Sequence, residues 1–429
     1  MVEKAYKYRF FPTAEQENLL RRTMGCVRLV YNKALATRTE AWYERHERIQ
    51  YKETSSFLTG WKKTEDLNFL NEVSCVPLQQ CLRNLQKAFA NFWGKRARYP
   101  RFKAKRNGGS AEFTKSAFKY QDGLLWLAKC KEPLPIVWSR FLPQGCSPST
   151  VTVKLEPSGR WFVSLLVDDS TIQPLPPNDK KVGIDVGISS LLCTSDGEKI
   201  SNPKHFNRLY QKLRVAQKKL SRKTKGSNNR YKARLKVTKI HAKIKDARTD
   251  FLHKLTTRLV QENSLIAIED LAIKNMVENH KLARSISDAA WGADWSPPTL
   301  LRNGESLQRL FRQLEYKCEW YGRQLVKIDR FFPSSKRCNH CGFVMDKLPL
   351  NIRSWDCPSC EIKDIHRDIN AGKNILAAGL AVTVCGADIR PDNHNVKGQL
   401  RKTRKRSDPA SSERRKGTLT KTRRKQKPK

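Results

Sequence analysis

The hydrophobic and polar positions change period along the chain, and the changes divide it. Tyr6, Tyr8 and Phe10 alternate with Lys7 and Arg9, the period of a half-buried strand. Pro12-Thr13 then opens a helix, with Thr13 and Gln16 at capping-box spacing, and Leu19, Leu20, Met24, Val27 and Val30 continue it. Helical patterns recur to about Phe92, with interruptions expected near Tyr51 to Leu58 and at Pro77. A helical subdomain inserted after one strand is the reading. From about Ala111 to Asp168 short strands replace it, at Gly123 to Leu127, Pro135 to Trp138, Val151 to Leu155 and Trp161 to Val167. Pro157-Ser158-Gly159 makes a hairpin turn there, and a small barrel completed by the N-terminal strand is expected. Pro174, Pro176 and Pro177 form a stiff linker and mark a boundary.

Beyond the linker, strands and helices alternate. Lys181 to Gly187 and Leu191 to Thr194 read as two strands, and Leu265 to Glu269 and Gln324 to Asp329 as two more. Between them run amphipathic helices marked by Phe206, Leu209, Leu213, Ala216 and Leu220, by Ile240, Ile244, Ala247, Phe251, Leu255 and Leu259, and by Leu310, Leu314 and Cys318. This order is an α/β pattern with a mixed sheet, so the chain as a whole reads as multidomain α/β with all-β and helical parts. A length of 429 residues also exceeds what one core serves well.

Charge changes the picture most. Against 41 acidic residues stand 84 Lys and Arg, a net +43. Lys397 to Lys429, with fifteen basic and two acidic residues, contributes +13 of this and reads as a disordered low-complexity tail. The remaining +30 belongs to the folded body, and a polyanion is its natural partner. No apolar run of about 18 residues and no signal-peptide pattern occurs, which excludes a membrane partner and predicts a cytoplasmic protein. From Phe89 to Arg106 aromatics and cations alternate without core periodicity: Phe92, Trp93, Lys95, Arg96, Arg98, Tyr99, Arg101, Phe102, Lys103 and Lys105. Such a mixture suits stacking on bases together with phosphate contacts, so these residues are candidate nucleic-acid contacts. Arg222, Arg230 and Arg234, on the polar faces of the long helices, join them.

Two constellations carry chemistry. Asp185 lies inside an apolar strand, Glu269 ends another, and Asp368 starts a helical pattern. A buried carboxylate is costly unless paired or bound to a metal. Three of them on distant segments suggest a hard-cation site, and two Mg²⁺ about 4 Å apart would serve phosphodiester cleavage. Cys338, Cys341, Cys357 and Cys360 form two C-x₂-C knuckles separated by fifteen residues, the spacing of one structural Zn²⁺. The other eight of the twelve cysteines read as reduced thiols.

The motifs G-I-D-x-G at 183 to 187, I-E-D-L at 268 to 271, S-D-A-x-W-G at 287 to 292, F-P-S-S-x-x-C-x-x-C-G at 332 to 342, W-x-C-P-x-C at 355 to 360 and R-D-x-N-A at 367 to 371 together resemble the TnpB family, transposon-encoded RNA-guided nucleases related to type V CRISPR effectors. The resemblance runs in order to about residue 380. It implies a RuvC (RNase H-like) nuclease at 181 to 332 and 363 to 385, with Asp185, Glu269 and Asp368 as catalytic acids. It also implies a wedge β-barrel from 1 to 10 and 107 to 175, a helical recognition domain from 11 to 106, and a zinc-ribbon-type, target-nucleic-acid-binding insertion at 333 to 362. Residues 386 to 429 remain as a basic tail. The implied activity is cleavage of double-stranded DNA beside a short motif, directed by a guide RNA from the transposon end, with one protein per RNA and the complex nucleoid-associated when on DNA. A nuclease-inactive RNA-guided repressor and a strand-transferring transposase are the alternatives. The chain departs from the family at Ile365, where His is usual, at Gly372, where Ala is usual, and in a longer stretch from 293 to 311.

Overall fold

The computed structural model describes residues 2–187, 190–203, 205–271, 309–349 and 351–384. The Ser285 to Gly292 motif, the stretch through 308 and the basic tail lie outside the described residues.

In the first half, five antiparallel strands pair in the order β2-β6-β7-β1-β5: β1 (Val2–Phe10), β2 (Gly109–Thr114), β5 (Ile136–Val137), β6 (Pro148–Leu155) and β7 (Trp161–Asp169). The N-terminal strand is thus inserted between β7, with Phe10 opposite Trp161, and β5, with Arg9 opposite Val137. Its alternating pattern is kept: Tyr6, Tyr8 and Phe10 are buried and Lys7 is not. A separate hairpin joins β3 (Phe118–Gln121) to β4 (Leu124–Leu127). No pairing joins the edge strands β2 and β5 among the described residues, so the ladder itself is not a closed barrel. Helices cover its inner face, and Leu20, Met24 and Val27 share one continuous core with Val151, Val163 and Leu165. Strands β2 and β3 escaped the sequence reading because β2 offers only Ala111 and Phe113 to the core.

The helices of this half are α1 (Ala14–Arg45), α2 (Tyr51–Trp61) and α3 (Cys75–Trp93). The capping box forms, with Gln16 N donating to Thr13 Oγ1 at 3.3 Å and Thr13 N to Gln16 Oε1 at 3.2 Å. Both expected interruptions are displaced. Tyr51 to Leu58 is helical, and the break precedes it, where His46 takes a left-handed φ of 54° and ends α1. Pro77 lies in the first turn of α3, where a missing N–H costs nothing.

The second half carries a mixed sheet in the order β10-β9-β8-β11-β12. Strands β8 (Lys181–Val186), β9 (Ser190–Thr194) and β10 (Lys199–Ser201) form an antiparallel meander, and β11 (Leu265–Glu269) and β12 (Gln324–Ile328) run parallel to β8. Helices α4 (His205–Ser221), α5 (Asn228–Glu262), α6 (Arg309–Tyr321) and α7 (Arg367–Val384) complete it. Both faces of the sheet are covered. Val182, Ile184, Ile266 and Ile268 pack with α5 and α6, whereas Leu265 and Ala267 pack with Ile375 and Leu376 of α7. Two short strands, β13 (Ser354–Trp355) and β14 (Ile365–His366), pair beside the cysteines. No helix among the described residues is long and apolar enough to cross a membrane.

Candidate active site

The period of two in a strand decides where the first two acids point. Val182 and Ile184 face α5 and α6, so Gly183 and Asp185 face α7. On the neighbouring parallel strand, Leu265 and Ala267 face α7, and Glu269 follows them. Ile268 pairs with Ile184, so the next step of the ladder sets Glu269 beside Asp185 on strands about 4.8 Å apart. Asp368 occupies the first turn of α7, the helix covering that face.

Glycine makes this approach of helix to strand possible. A Cβ on Gly183 would lie 2.1 Å from the Gly372 carbonyl oxygen, and one on Gly372 would lie 2.9 Å from the Ser195 nitrogen. Neither space admits a side chain, so Gly183 lets α7 rest on β8 and Gly372 lets it rest on the end of β9. Gly372, the departure from the family pattern, is therefore matched by the strand it rests on.

The electrostatics record the proximity of the three acids. Asp185 is pushed up to about 7, first by burial and then by the charges of Glu269 and Asp368. Burial also raises Glu269, against the Ser334 hydroxyl that donates to its Oε1. The Cys193 thiol, directly across the ladder from Asp185, is pushed to about 11 by burial and by Asp368 and Asp185. Arg353 Nη1 pairs with Asp368 Oδ1 at 3.3 Å, and Arg330 pairs with Asp270, the acid after Glu269. Carboxyls forced to share a site, with oxygen donors only, suit a hard divalent cation.

The cysteine site is tighter. Among the described residues, Cys338, Cys341, Cys357 and Cys360 alone bring three or more candidate ligand atoms within 4.8 Å of one another. Cys338 and Cys360 sulfurs are 3.7 Å apart, and Cys341 and Cys357 3.6 Å. Four sulfurs about 2.3 Å from a central ion in a tetrahedron would lie about 3.8 Å apart, so the cluster fits a structural zinc. Its own core is small, with Cys338, Leu348, Trp355, Cys357 and Ile365 buried. Ile365 sits opposite Trp355 in that core, while His366 Nε2 is 2.8 Å from Lys199 Nζ.

Side chains that the spacing did not single out join the two sites. Asn370 accepts from Asn339 N at 2.9 Å and donates to the Arg337 carbonyl at 2.7 Å. Asn374, one turn on, donates to the carbonyls of Ser334 at 2.9 Å and Arg337 at 2.6 Å. Residues 334 to 339, which include Cys338, are therefore tied to the helix of Asp368 by two buried amides and to Glu269 by Ser334. The F-P-S-S and R-D-x-N-A motifs contained the signal, but their amide and hydroxyl partners lie on other segments.

The candidate nucleic-acid contacts divide. Trp93 and Phe102 are exposed, at 48% and 64%, and Lys95, Arg96, Arg98, Arg101 and Lys105 also face solvent. Tyr99 meets Phe89 and Phe92 edge to face and shares a 2.7 Å hydrogen bond with Thr39, so part of this stretch packs on itself. The Lys103 ammonium lies 3.9 Å over the Tyr31 ring. Arg222 is exposed and Arg234 lies over Tyr231, but Arg230 donates to the Leu220 and Lys223 carbonyls and clamps the turn between α4 and α5. Beside that turn the two helices enclose a groove of about 720 Å³ lined by Lys212, Lys219, Lys223, Lys232 and Lys236.

Comparison with known proteins agrees with this architecture. The IS605 OrfB family model, described as "Probable transposase", matches residues 161–280. The TNB domain of Cas12f1-like proteins matches residues 308–375 and so spans the cysteine site. A helix-turn-helix model matches residues 1–47, which here hold one strand and the 32-residue α1. A Streptomyces pristinaespiralis protein whose name describes an RNA-guided DNA endonuclease is 57% identical over 395 residues, covering 92% of this chain and 94% of that protein. InsQ of Escherichia coli K12, named in the same terms, is 32% identical over 398 residues, covering 89% and 94%. The fold matches that of Cas12f1 in a cryo-EM complex with sgRNA and target DNA, at TM-score 0.53 and 13% identity, over 87% of this chain and 98% of that one. With relatives of such identity and coverage, the chain belongs to the TnpB family.

Proposed function

We propose that this protein is an RNA-guided DNA endonuclease of a transposable element, hydrolysing phosphodiester bonds of double-stranded DNA at Asp185, Glu269 and Asp368. The observation that carries the reading is the placement of Asp185 and Glu269 side by side on the sheet face that α7, with Asp368 in its first turn, covers. A carboxyl raised first by burial and then by two neighbouring acids is stabilised by positive charge placed beside it, and a family of DNA endonucleases gives that charge a use. The three acids would hold two Mg²⁺, which supply an activated water and stabilise the leaving 3′ oxygen. Ser334 keeps Glu269 aimed at the site by donating to it, Arg353 restrains Asp368, and the paired glycines fix the depth of α7.

The remaining assignments follow from the same reading. The mixed sheet, with its 3-2-1-4-5 order of strands, is the RuvC-type RNase H core at 181 to 332 and 363 to 385, and residues 333 to 362 are its zinc-holding, DNA-binding insertion. The antiparallel sheet from 1 to 10 and 107 to 175 acts as the wedge, and 11 to 106 as the recognition domain. The cationic groove of α4 and α5 and the exposed cations from Lys95 to Lys105 would track the phosphates of guide RNA and of its heteroduplex with target.

Reconstitution with RNA that copurifies with the protein tests the proposal. The complex should cut matched double-stranded DNA in millimolar Mg²⁺, and Asp185→Ala should abolish cutting while RNA binding persists. A complex that binds target tightly without scission would make the protein a repressor. Joined strands in place of breaks would make it a transposase.

A further inference from the structure

We infer that the cleft between the C-terminal ends of α1 and α3 is a receptor for one unpaired base of the bound RNA; this rests on the proposal that the protein carries RNA. The cleft holds about 330 Å³, enough for a purine, and its walls include Trp42, Arg48, Phe92, Trp93 and Tyr99. Arg38 forms its floor. Its guanidinium stacks 4.0 Å from the Phe89 ring, and the residue is only 5% exposed.

Three observations separate this cleft from an ordinary gap in packing. First, Arg38 makes no close ion pair among the described residues: Glu53 attracts it only from a distance, and its hydrogen bond goes to Gln86 Oε1 at 2.9 Å. A guanidinium has five N–H donors, and at the lining of the cleft those beyond the one given to Gln86 are available to a ligand with acceptor atoms. Second, two indoles stay half in solvent at the rim, Trp42 at 42% and Trp93 at 48%. Large flat faces left open beside a cation are what base stacking uses. Third, cations outnumber acids at the rim, where the lining acid Glu47 is paired with Arg45 at 3.0 Å. After Trp93 the chain turns back, with Arg96 N donating to Asn91 O at 2.8 Å, which keeps the exposed Lys95, Arg96 and Arg98 beside the opening. Arg48 lies 5.5 Å over the Trp42 ring on the opposite lip. A base enters the apolar cleft and its phosphates remain among cations. RNA is favoured over target DNA because folded RNA offers splayed bases in loops and bulges, whereas duplex DNA keeps its bases stacked.

The test uses the full-length protein and a 12-nucleotide single-stranded RNA, with a copy carrying one central abasic site and a DNA copy of the same sequence. Wild type should bind the intact RNA with quenching of Trp fluorescence. Trp93→Ala should weaken binding about tenfold, and Trp93→Phe much less. The slope of log affinity against log salt should stay unchanged in Trp93→Ala, because no phosphate contact is lost, and should flatten in Lys95→Ala. Thermal melting of Trp93→Ala, altered at an exposed position, should match wild type. Equal affinity of wild type and Trp93→Ala for intact RNA overturns the inference, as does equal affinity of wild type for intact and abasic RNA. A Trp93→Ala defect confined to the DNA strand overturns the assignment to RNA. Failure of wild type to bind any RNA refutes the guided-nuclease reading itself, which distinguishes the two failures.

Discussion

The two candidate metal sites are neighbours built on opposite principles. The four cysteines come from 23 consecutive residues, Cys338 to Cys360, in a segment with almost no core of its own. The three carboxylates come from residues 185, 269 and 368 and are delivered by a sheet buried on both faces and by the helix α7 that covers one of them. A local site of the first kind relies on its ion for folding, while a scaffolded site of the second kind exists before any ion arrives and bears a cost of charge repulsion until one does. Ser334, Asn370 and Asn374 stitch them together, so an ion in the knuckle would support the position of the acids without touching them.

The largest test of this contrast is loss of an acid. Asp185→Ala should lower the DNA cleavage rate about a thousandfold or more, with the melting temperature unchanged or raised because a buried charge is gone. Loss of a thiol should do the reverse. Cys338→Ser, or zinc removal by a chelator, should abolish amide-exchange protection from about 336 to 366 while β8 and β11 keep theirs. Cleavage should then fall about ten- to a hundredfold, as when outer support of a metal site is lost. If β8 and β11 lost protection as well, the two sites would be one folding unit and the contrast would fail.

The stitching itself is worth less. Asn374→Ala removes an amide from two buried carbonyls and should destabilise the protein by about 2–3 kcal/mol in urea unfolding, with cleavage reduced less than in Cys338→Ser. The smallest effect is on pH dependence. Folded Asp185 holds its proton up to about 7, whereas the unfolded chain releases it near 4, so its contribution is full below pH 4 and is lost as pH rises to 7. In metal-free protein this should remove roughly 2 kcal/mol between pH 4 and 7 after allowance for solvent screening, and Asp185→Asn should lack that component. Identical stability curves for the two proteins would mean that neither burial nor the neighbouring acids raise Asp185.

Legibility follows the same division. The knuckle could be read from spacing alone because all its ligands are close in sequence. The strands of the mixed sheet could be read because their apolar runs are continuous, and the capping box at Thr13 because both partners lie within one turn. Strand β2 could not be read, since its residues become strand-like only when Ala111 and Phe113 meet a core supplied by α1. Nor could the division of the basic residues: nothing local distinguishes Arg230, occupied by carbonyls ten and seven residues away, from exposed Arg222.

By itself the sequence determined the period of the longer strands and helices, the excess of positive charge, the four-thiolate donor set and three acids as candidates for a second site. Those properties are carried by residue type and short-range spacing. Only the tertiary structure decided that Asp185 and Glu269 share a face with the start of α7, that Gly372 fits against the end of β9, and that Arg38 lies at the base of an aromatic cleft. Each of these depends on contacts between segments far apart in the chain, and such contacts are set by register and close packing, which no local pattern records.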